Sequence, residues 1–136
     1  MKKAHVTIIF LASLIILTVF GSSSCSGPKD KEFPVLSGPY LGQETPGPVP
    51  ELFAPGVIAT GFNERDLAIS PDGNEIFYGL LTSRHITIMH TRQVNGRWTE
   101  PETAPFARDN RFFFLEPCFS PDGKTVYFLS TRPPAC

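Results

Sequence analysis

Two clusters of charged residues are the strongest candidates for a binding site in this sequence. One cluster is Glu64-Arg65-Asp66, and the other runs from Arg111 to Glu116. Asp66 and Glu116 each lie four residues before a Ser-Pro-Asp-Gly tetrapeptide. A carboxylate that recurs beside arginines suits either a polar ligand site or an ion-pair network between neighbouring repeats. Because buried charges need partners, we favour the network and keep the ligand site as the alternative.

The remaining groups that could do chemistry have simpler structural interpretations. Asp72 and Asp122 belong to turn motifs, in which aspartate stabilises the local backbone. His85 and His90 lie five residues apart, so a regular strand places them on opposite faces and away from a shared metal. The sequence contains no Cys-x-x-Cys, Gly-x-Ser-x-Gly or phosphate-binding loop motif. We therefore predict no catalytic residues, no metal site and no cofactor.

A repeated tetrapeptide indicates the elements that would position these side chains. Ser-Pro-Asp-Gly occurs at 70–73 and again at 120–123, a spacing of 50 residues. In each copy proline presets φ at the second turn position, aspartate suits the third, and glycine adopts the left-handed conformation that follows. A spacing of this size is typical of propellers rather than short-period solenoids. The predicted structural turn residues are Ser70, Pro71, Asp72, Gly73, Ser120, Pro121, Asp122 and Gly123.

Apolar and β-branched runs on both sides of each tetrapeptide predict β-hairpins. Leu67–Ile69 enters the first turn and Ile76–Tyr78 leaves it, whereas Cys118–Phe119 and Val126–Leu129 flank the second. Such nearly continuous apolar runs indicate strands that are covered on both faces. Cys118 is then expected to be a small buried hydrophobic residue. A lone hairpin would be marginal in water, which favours hairpins stacked against one another.

The order of strand, Ser-Pro-Asp-Gly, polar pair and Ile/Val-aromatic-aromatic strand resembles a known repeat. With Asn74-Glu75 and Lys124-Thr125 as the polar pairs, it is similar to the WD-repeat-like propeller repeat of TolB-type periplasmic proteins. The resemblance covers roughly Leu52 to Arg132. It implies a β-propeller that serves as a binding platform, and it brings no catalytic motif.

Further strand patterns complete one four-stranded blade between about residues 62 and 104. His85–Thr91 alternates well enough for a third strand, Asn95-Gly96 predicts a tight hairpin turn, and Arg97–Thr99 begins a fourth strand. Pro101 ends that strand, as expected at an outer edge. Upstream, Val57–Thr60 is expected to form an outer strand before the first complete blade. The second blade is expected to begin near residue 112 and to be incomplete.

The predicted fold class is therefore all-β, with one full four-stranded propeller blade, parts of two others and an incomplete ring. A closed propeller needs on the order of 160 residues, because it has at least four blades of roughly 40 to 50 residues. The region expected to fold, residues 52–136, is much shorter. The sequence is accordingly expected to be an N-terminal fragment of a longer protein, with assembly from several chains as the alternative.

Residues 1–24 have the three-part pattern of an export signal. Lys2 and Lys3 provide a basic start, Val6–Phe20 is almost wholly apolar, and small residues precede Cys25. This arrangement resembles a bacterial lipoprotein box, which implies that Cys25 is lipidated. Ordinary signal cleavage and an uncleaved anchor are the alternatives, and all three place the rest of the chain outside the cytoplasm. Residues 25–51 follow, rich in Pro, Gly and Ser, and are predicted to be a flexible tether.

Charge argues against nucleic acid as a partner. Residues 1–24 hold two of the 12 basic residues, so the remainder carries 10 basic against 13 acidic residues, a net charge of about −3. The arginines are interspersed with acids and form no basic stripe.

Aromatic and cysteine residues leave two questions open. Phe112-Phe113-Phe114 suits a stacking surface for a sugar or peptide or, as we favour, packing between blades. A Cys118–Cys136 disulfide in an oxidising compartment is neither required nor excluded by the sequence.

These patterns predict an exported, lipid-anchored, noncatalytic β-propeller binding or scaffold protein of the bacterial cell envelope, periplasmic or associated with the outer membrane. Its expected partners are the membrane, through the anchor, and an envelope protein, peptide or glycan ligand. One alternative is an enzyme, either a propeller-type hydrolase or the propeller domain of a peptidase or glycan-active enzyme whose catalytic part is missing. Another is a nonfunctional truncated remnant. The lack of a catalytic motif in the sequence favours the binding protein.

Overall fold

The computed structural model describes residues 32–45 and 47–134, which are mostly β-strand, and the predicted all-β class is confirmed. The strands are β1 (Asn63–Ile69), β2 (Glu75–Leu81), β3 (Ile86–Val94), β4 (Arg97–Trp98), β5 (Glu102–Thr103), β6 (Phe114–Phe119) and β7 (Val126–Ser130). The described helical turns are two 3₁₀ segments, Pro39–Gly42 and Pro105–Ala107. The export signal, Cys25 and Cys136 lie outside the described residues.

Strands β1 to β5 form one antiparallel sheet in the order β1-β2-β3-β4, with β5 also paired to β3. The turn from β3 to β4 is Asn95-Gly96, where φ is 51° and 75°. Positive φ at both central residues is what a two-residue turn of this twist needs. Pro101 lies between β4 and β5, and Thr103 resumes pairing with β3 opposite Met89. The fourth position of the sheet is thus occupied by two short strands, β4 and β5, with Pro101 between them.

The two tetrapeptides form the turns of two similar hairpins. We call β1 and β2 the first hairpin and β6 and β7, which form a separate two-stranded sheet, the second hairpin. The amide of Gly73 donates to the carbonyl of Ser70 at 2.8 Å, and that of Gly123 donates to Ser120 at 2.9 Å. Both glycines have positive φ, 73° and 70°, a conformation that glycine adopts without a Cβ penalty.

Strand pairing is also equivalent in the two hairpins. Ala68 lies opposite Phe77 in the first, and Cys118 lies opposite Tyr127 in the second. Each residue of the second pair is 50 positions after its counterpart. Residues directly opposite one another in an antiparallel pair share a face. The repeat in sequence is therefore a repeat in register and in the face that each residue occupies.

One face of the first hairpin packs against the chain that precedes it. Ile76 and Tyr78 project from this face and are almost completely buried. Partly buried side chains, Phe53 and Val57 among them, pack around the same cluster. Burial of such side chains typically contributes about 1.5–3 kcal/mol each. The buried members of this cluster are Leu41, Ala54, Ile58, Ile76, Tyr78 and Trp98.

Part of the segment predicted to be a tether joins this packing. The indole N–H of Trp98 donates to the carbonyl of Gly38 at 2.7 Å, and the Trp98 amide donates to Leu36 at 3.0 Å. Leu41 is 5% exposed within the cluster. The packed region therefore begins well before residue 52, where the sequence suggested the folded part would start.

The opposite face of the first hairpin packs against the second hairpin. Phe77 lies at the centre, with its ring centroid 5.5 Å from Phe119 and 5.8 Å from Phe106. Phe106 in turn stacks on Phe128 at 4.4 Å. Because Phe77 alternates with Ile76 and Tyr78 along β2, one strand serves both clusters. The buried members of this second cluster are Phe77, Ile88, Ala104, Ala107 and Phe114.

The turns are stacked as well as the strands. A Cβ on Gly123 would lie 3.0 Å from Cδ of Pro71, so the second turn rests on the proline of the first. A Cβ on Gly73 would likewise lie 3.0 Å from Cβ of Pro39 and Cζ of Tyr40. Pro39-Tyr40 therefore lies against the first turn much as the first turn lies against the second.

The outer face of the second hairpin is uncovered among the described residues. Tyr127 is 63% exposed and Leu129 is 48% exposed, although Phe77, the counterpart of Tyr127 in the first hairpin, faces the second hairpin. Within residues 32–45 and 47–134 Cys118 forms no disulfide, and it is exposed, so the prediction that it is buried is wrong. The reason is that it shares this outer face with Tyr127.

The predicted strand at Val57–Thr60 is also wrong. The carbonyl of Ala54 accepts hydrogen bonds from the amides of Val57, Ile58 and Ala59, at 3.1, 2.9 and 3.3 Å. The chain closes into a local turn, with only an isolated bridge between Pro55 and Ala59. Local hydrogen bonds use the amides that a strand would offer to a neighbour.

Candidate functional site

Asp66 and Glu116 occupy matched irregularities in the two hairpins. The pairing register shifts between Arg65 and Ala68 in β1 and between Leu115 and Cys118 in β6. Within these bulges Asp66 has φ of 54° and Glu116 has φ of 55°. A left-handed backbone is unusual for a residue with a side chain, especially for glutamate. Its repetition at equivalent positions identifies the bulge as a feature of the repeat itself.

Asp66 and Glu64 each have a partner nearby in the chain. Nε of Arg65 donates to Oδ2 of Asp66 at 2.7 Å, so this ion pair joins adjacent residues. The carboxylate of Glu64 accepts hydrogen bonds from the amide and hydroxyl of Thr60. Burial raises the pKa of Glu64, but these hydrogen bonds outweigh that effect and hold the pKa below 4.5.

Arg111 is bound to Asp109, an acid outside the set of predicted site residues. Its Nε and Nη2 atoms donate to the two carboxylate oxygens of Asp109 at 2.9 and 2.7 Å. The hydrogen bond from Arg111 lowers the pKa of Asp109 to about 2. The guanidinium also lies 5.4 Å from the ring centroid of Phe112. Glu116 is exposed and, among the described residues, forms no ion pair.

The five predicted residues thus form two local arrangements, and no ion pair among the described residues joins the two hairpins. What recurs is the carboxylate in a left-handed bulge, with Arg65 near one copy and Phe112 and Arg111 before the other. Exposed ion pairs such as these contribute at most about 1 kcal/mol. The arrangement can offer hydrogen-bond acceptors to a polar ligand. Among residues 32–45 and 47–134, no group of three or more potential metal ligands is present.

The two histidines lie in different surroundings. His90 is buried, stacks on Phe77 with centroids 4.4 Å apart, and its Nε2 lies 2.8 Å from Oε1 of Glu75. His85 is only half-buried, beside Phe113 at 6.1 Å. The triplet Phe112–Phe114 is divided as well, because Phe114 is 1% exposed in the shared cluster while Phe113 is 43% exposed.

The turn serine and aspartate act on the backbone. Oγ of Ser70 donates to Oδ1 of Asp72 at 2.5 Å and accepts from the amides of Asn74 and Glu75 at 3.2 and 2.9 Å. The hydrogen bond from Ser70 lowers the pKa of Asp72. The second turn repeats this arrangement with Ser120, whose hydroxyl lowers the pKa of Asp122.

We expect Ser70→Ala to destabilise the protein by about 1–3 kcal/mol, because Ser70 is 7% exposed, the Glu75 amide loses its acceptor and the Asn74 amide keeps only Oδ1 of Asp72. Urea denaturation measures the change. The matched control is Ser83→Ala, at an exposed bend, which should change stability by less than about 0.5 kcal/mol. Equal effects of the two substitutions would show that the hydroxyl does not hold the turn.

Tyr78 should make the protein less stable at strongly alkaline pH. Burial, followed by the charge of Glu64, raises the pKa of Tyr78 from 10.0 to about 12. The folded state holds the phenolic proton of Tyr78 more tightly than the unfolded state does. The contribution of Tyr78 to stability is therefore complete below pH 10 and is lost as the pH rises through 12. Phenolate absorbance measures the ionisation, and Tyr78→Phe should remove the transition near 12. A difference titration centred near 10 would contradict the burial argument.

Comparisons with family models, curated proteins and solved structures find no match to this chain. Across the residues that the structure describes, no helix combines the length and the apolar character needed to cross a membrane.

Proposed function

We propose that this chain is an exported, lipid-anchored binding or scaffold protein of the bacterial cell envelope, built from propeller-type repeats and without catalytic activity. The observation that supports it most is the stacking of two equivalent hairpins through Phe77, each with a carboxylate in the same left-handed bulge. Propellers arrange their repeated units around a channel, so equivalent groups of successive units form rings there.

In this proposal Asp66 and Glu116 belong to such a ring and provide acceptors to a polar ligand, a protein, peptide or glycan of the envelope. Glu116 is exposed and the side chain of Asp66 is 23% exposed, so both carboxylates can be reached from solvent. Arg65 forms an ion pair with Asp66 and offsets its negative charge, whereas Glu116 is exposed to solvent. Ligands that donate hydrogen bonds, such as sugar hydroxyls or peptide amides, fit this chemistry.

The anchor is part of the same proposal and depends on the sequence around Cys25. The signal pattern is followed by small residues and this cysteine, an order that resembles a bacterial lipoprotein box, with Ser22 where that box usually has an aliphatic residue. Mass spectrometry of the protein from an envelope fraction should find diacylglycerol on Cys25, and Cys25→Ser should release the protein from the membrane. An unmodified Cys25 in a protein that stays in the cytoplasm would overturn this part.

The binding role is tested by crosslinking full-length tagged protein in cells and identifying what it captures. We expect the double variant Asp66→Asn, Glu116→Gln to lose a specific partner, while Glu100→Gln, which removes an exposed charge elsewhere, retains it. Asparagine tolerates the left-handed backbone at position 66. Identical capture by the wild-type protein and both variants would contradict a binding role for Asp66 and Glu116. Turnover of a glycan or peptide by the purified protein would contradict a noncatalytic function.

A further inference from the structure

A cavity beside the edge of β1 that pairs with no described strand has the lining of a ligand site, and none of the five predicted polar residues lines it. Its volume is about 400 Å³, within the range of small-molecule pockets. It lies between β1, which contributes Leu67 and Ile69, and the preceding chain, which contributes Tyr40 and Phe53. Two aromatic and two aliphatic side chains therefore give it an apolar wall.

The charged residues at this cavity are both acidic. Glu44 and Glu51 line it, and no Lys, Arg or His is among its described lining residues. Within the described part of the chain, neither carboxylate takes part in an ion pair. An apolar cavity with two carboxylates at its margin favours a cation over a neutral or anionic ligand of the same shape.

The walls are held in place by contacts that do not depend on a ligand. Oε1 of Gln43 accepts from the amide of Ala54 at 2.6 Å, and Nε2 of Gln43 donates to the carbonyl of Leu52 at 3.3 Å. The Gln43 side chain thereby links the segment that contains Glu44 to the segment that contains Phe53. The cavity is thus bounded by two segments fixed to each other.

Tyr40 is fixed from the other side. Its amide donates to the carbonyl of Gly73 at 2.8 Å, and its ring lies against that glycine. Tyr40 and Leu41 both have left-handed backbones, with φ of 57° and 60°. Such conformations persist where surrounding contacts determine them, and they cluster at binding sites. Leu41 is 5% exposed and packs in the first core cluster.

We propose that this cavity binds an organic ammonium ion that carries an apolar body. The aromatic rings of Tyr40 and Phe53 line the cavity and suit a cation, because a ring quadrupole attracts positive charge within about 6 Å of its centroid. Glu44 and Glu51 add direct electrostatic attraction, and Leu67 and Ile69 accept the apolar part. The ligand is either a free alkyl- or arylammonium molecule or the lysine side chain of a peptide, since both present the same group.

The test uses the full chain and two isosteric probes, phenethylammonium and its neutral analogue 2-phenylethanol. NMR titration should show phenethylammonium binding with amide shifts at Gln43, Leu67 and Ile69, and the alcohol binding about tenfold more weakly or not at all. A second arm compares N-acetyl-lysine methylamide with phenethylammonium. Tighter binding of the lysine derivative assigns a peptide source, and tighter binding of phenethylammonium assigns a free small molecule.

Variants separate the cavity from general surface charge. The double substitution Glu44→Gln, Glu51→Gln should weaken phenethylammonium binding by about tenfold, and Glu100→Gln should leave it unchanged. Both variants change exposed side chains, so each should unfold at the wild-type urea concentration. Equal affinity for the ammonium and the alcohol, full affinity in the double variant, or no binding of any probe at millimolar concentration would overturn the proposal.

Discussion

Replacing Phe77 with alanine is expected to destabilise the chain by about 3–5 kcal/mol, the range for removing a buried phenylalanine. Phe77 is 5% exposed and its ring contacts His90, Phe106 and Phe119, which belong to the first sheet, the following segment and the second hairpin. Its removal leaves a cavity where these three parts meet. Urea denaturation, followed by fluorescence and circular dichroism, measures the loss.

The repeat supplies a matched control for this substitution. Tyr127 is the equivalent residue of the second hairpin, yet it is 63% exposed, so Tyr127→Ala should cost less than about 1 kcal/mol. If Phe77→Ala leaves too little folded protein to measure, Phe77→Leu should still cost more than Tyr127→Ala. Equal costs at the two positions would contradict the arrangement in which only the first hairpin has both faces covered.

The second large effect is expected for Gly73→Ala, at about 2–4 kcal/mol. Part of the cost is the left-handed backbone, since φ at Gly73 is 73°. The remainder is steric, because the new Cβ would lie 3.0 Å from both Pro39 and the Tyr40 ring. The free energy of unfolding in urea gives the sum of the two terms.

A second glycine separates those terms. Gly96 has nearly the same φ, 75°, but no atom lies within 4 Å of the place where its Cβ would be. Gly96→Ala should therefore cost only the backbone term, about 1–2 kcal/mol. Gly123→Ala, whose Cβ would meet Pro71 at 3.0 Å, should resemble Gly73→Ala. If all three substitutions cost the same, the turns are not stacked on the preceding prolines.

Local chemistry made much of the fold predictable. Ser-Pro-Asp-Gly specifies a turn through properties of each residue, and the apolar runs beside it supply the strands. The Asn95-Gly96 turn is equally local, since both residues accept positive φ. Features of this kind depend on neighbours in sequence, and they account for the confirmed all-β class.

Other features were not predictable in the same way, because they depend on distant contacts or on a local turn that competes with a strand. Val57–Thr60 has strand-forming residues, but three amides there bond to Ala54. Pro39–Gly42 looks like part of a tether, but contacts with Gly73 and Trp98 order the chain around it. Cys118 looks like a core residue, and its exposure follows from which hairpin face is covered.

The candidate site shows the same division. The sequence placed Asp66 and Glu116 at equivalent positions, because the tetrapeptide fixes the register of each hairpin. It did not indicate the bulges, since glutamate rarely adopts a left-handed backbone and gives no warning of one. Nor did it reveal that Arg111 binds Asp109, two residues away, because Glu116 is an equally plausible partner from sequence order alone.

NMR distance measurements on the full chain show whether the two equivalent hairpins stack on each other. Phe106 and Phe128 have ring centroids 4.4 Å apart, and Phe77 and Phe119 lie 5.5 Å apart. Cross-relaxation between the ring protons of each pair is the expected result, together with dispersed shifts for β6 and β7. Absence of both contacts while the first hairpin stays folded would contradict the stacked arrangement.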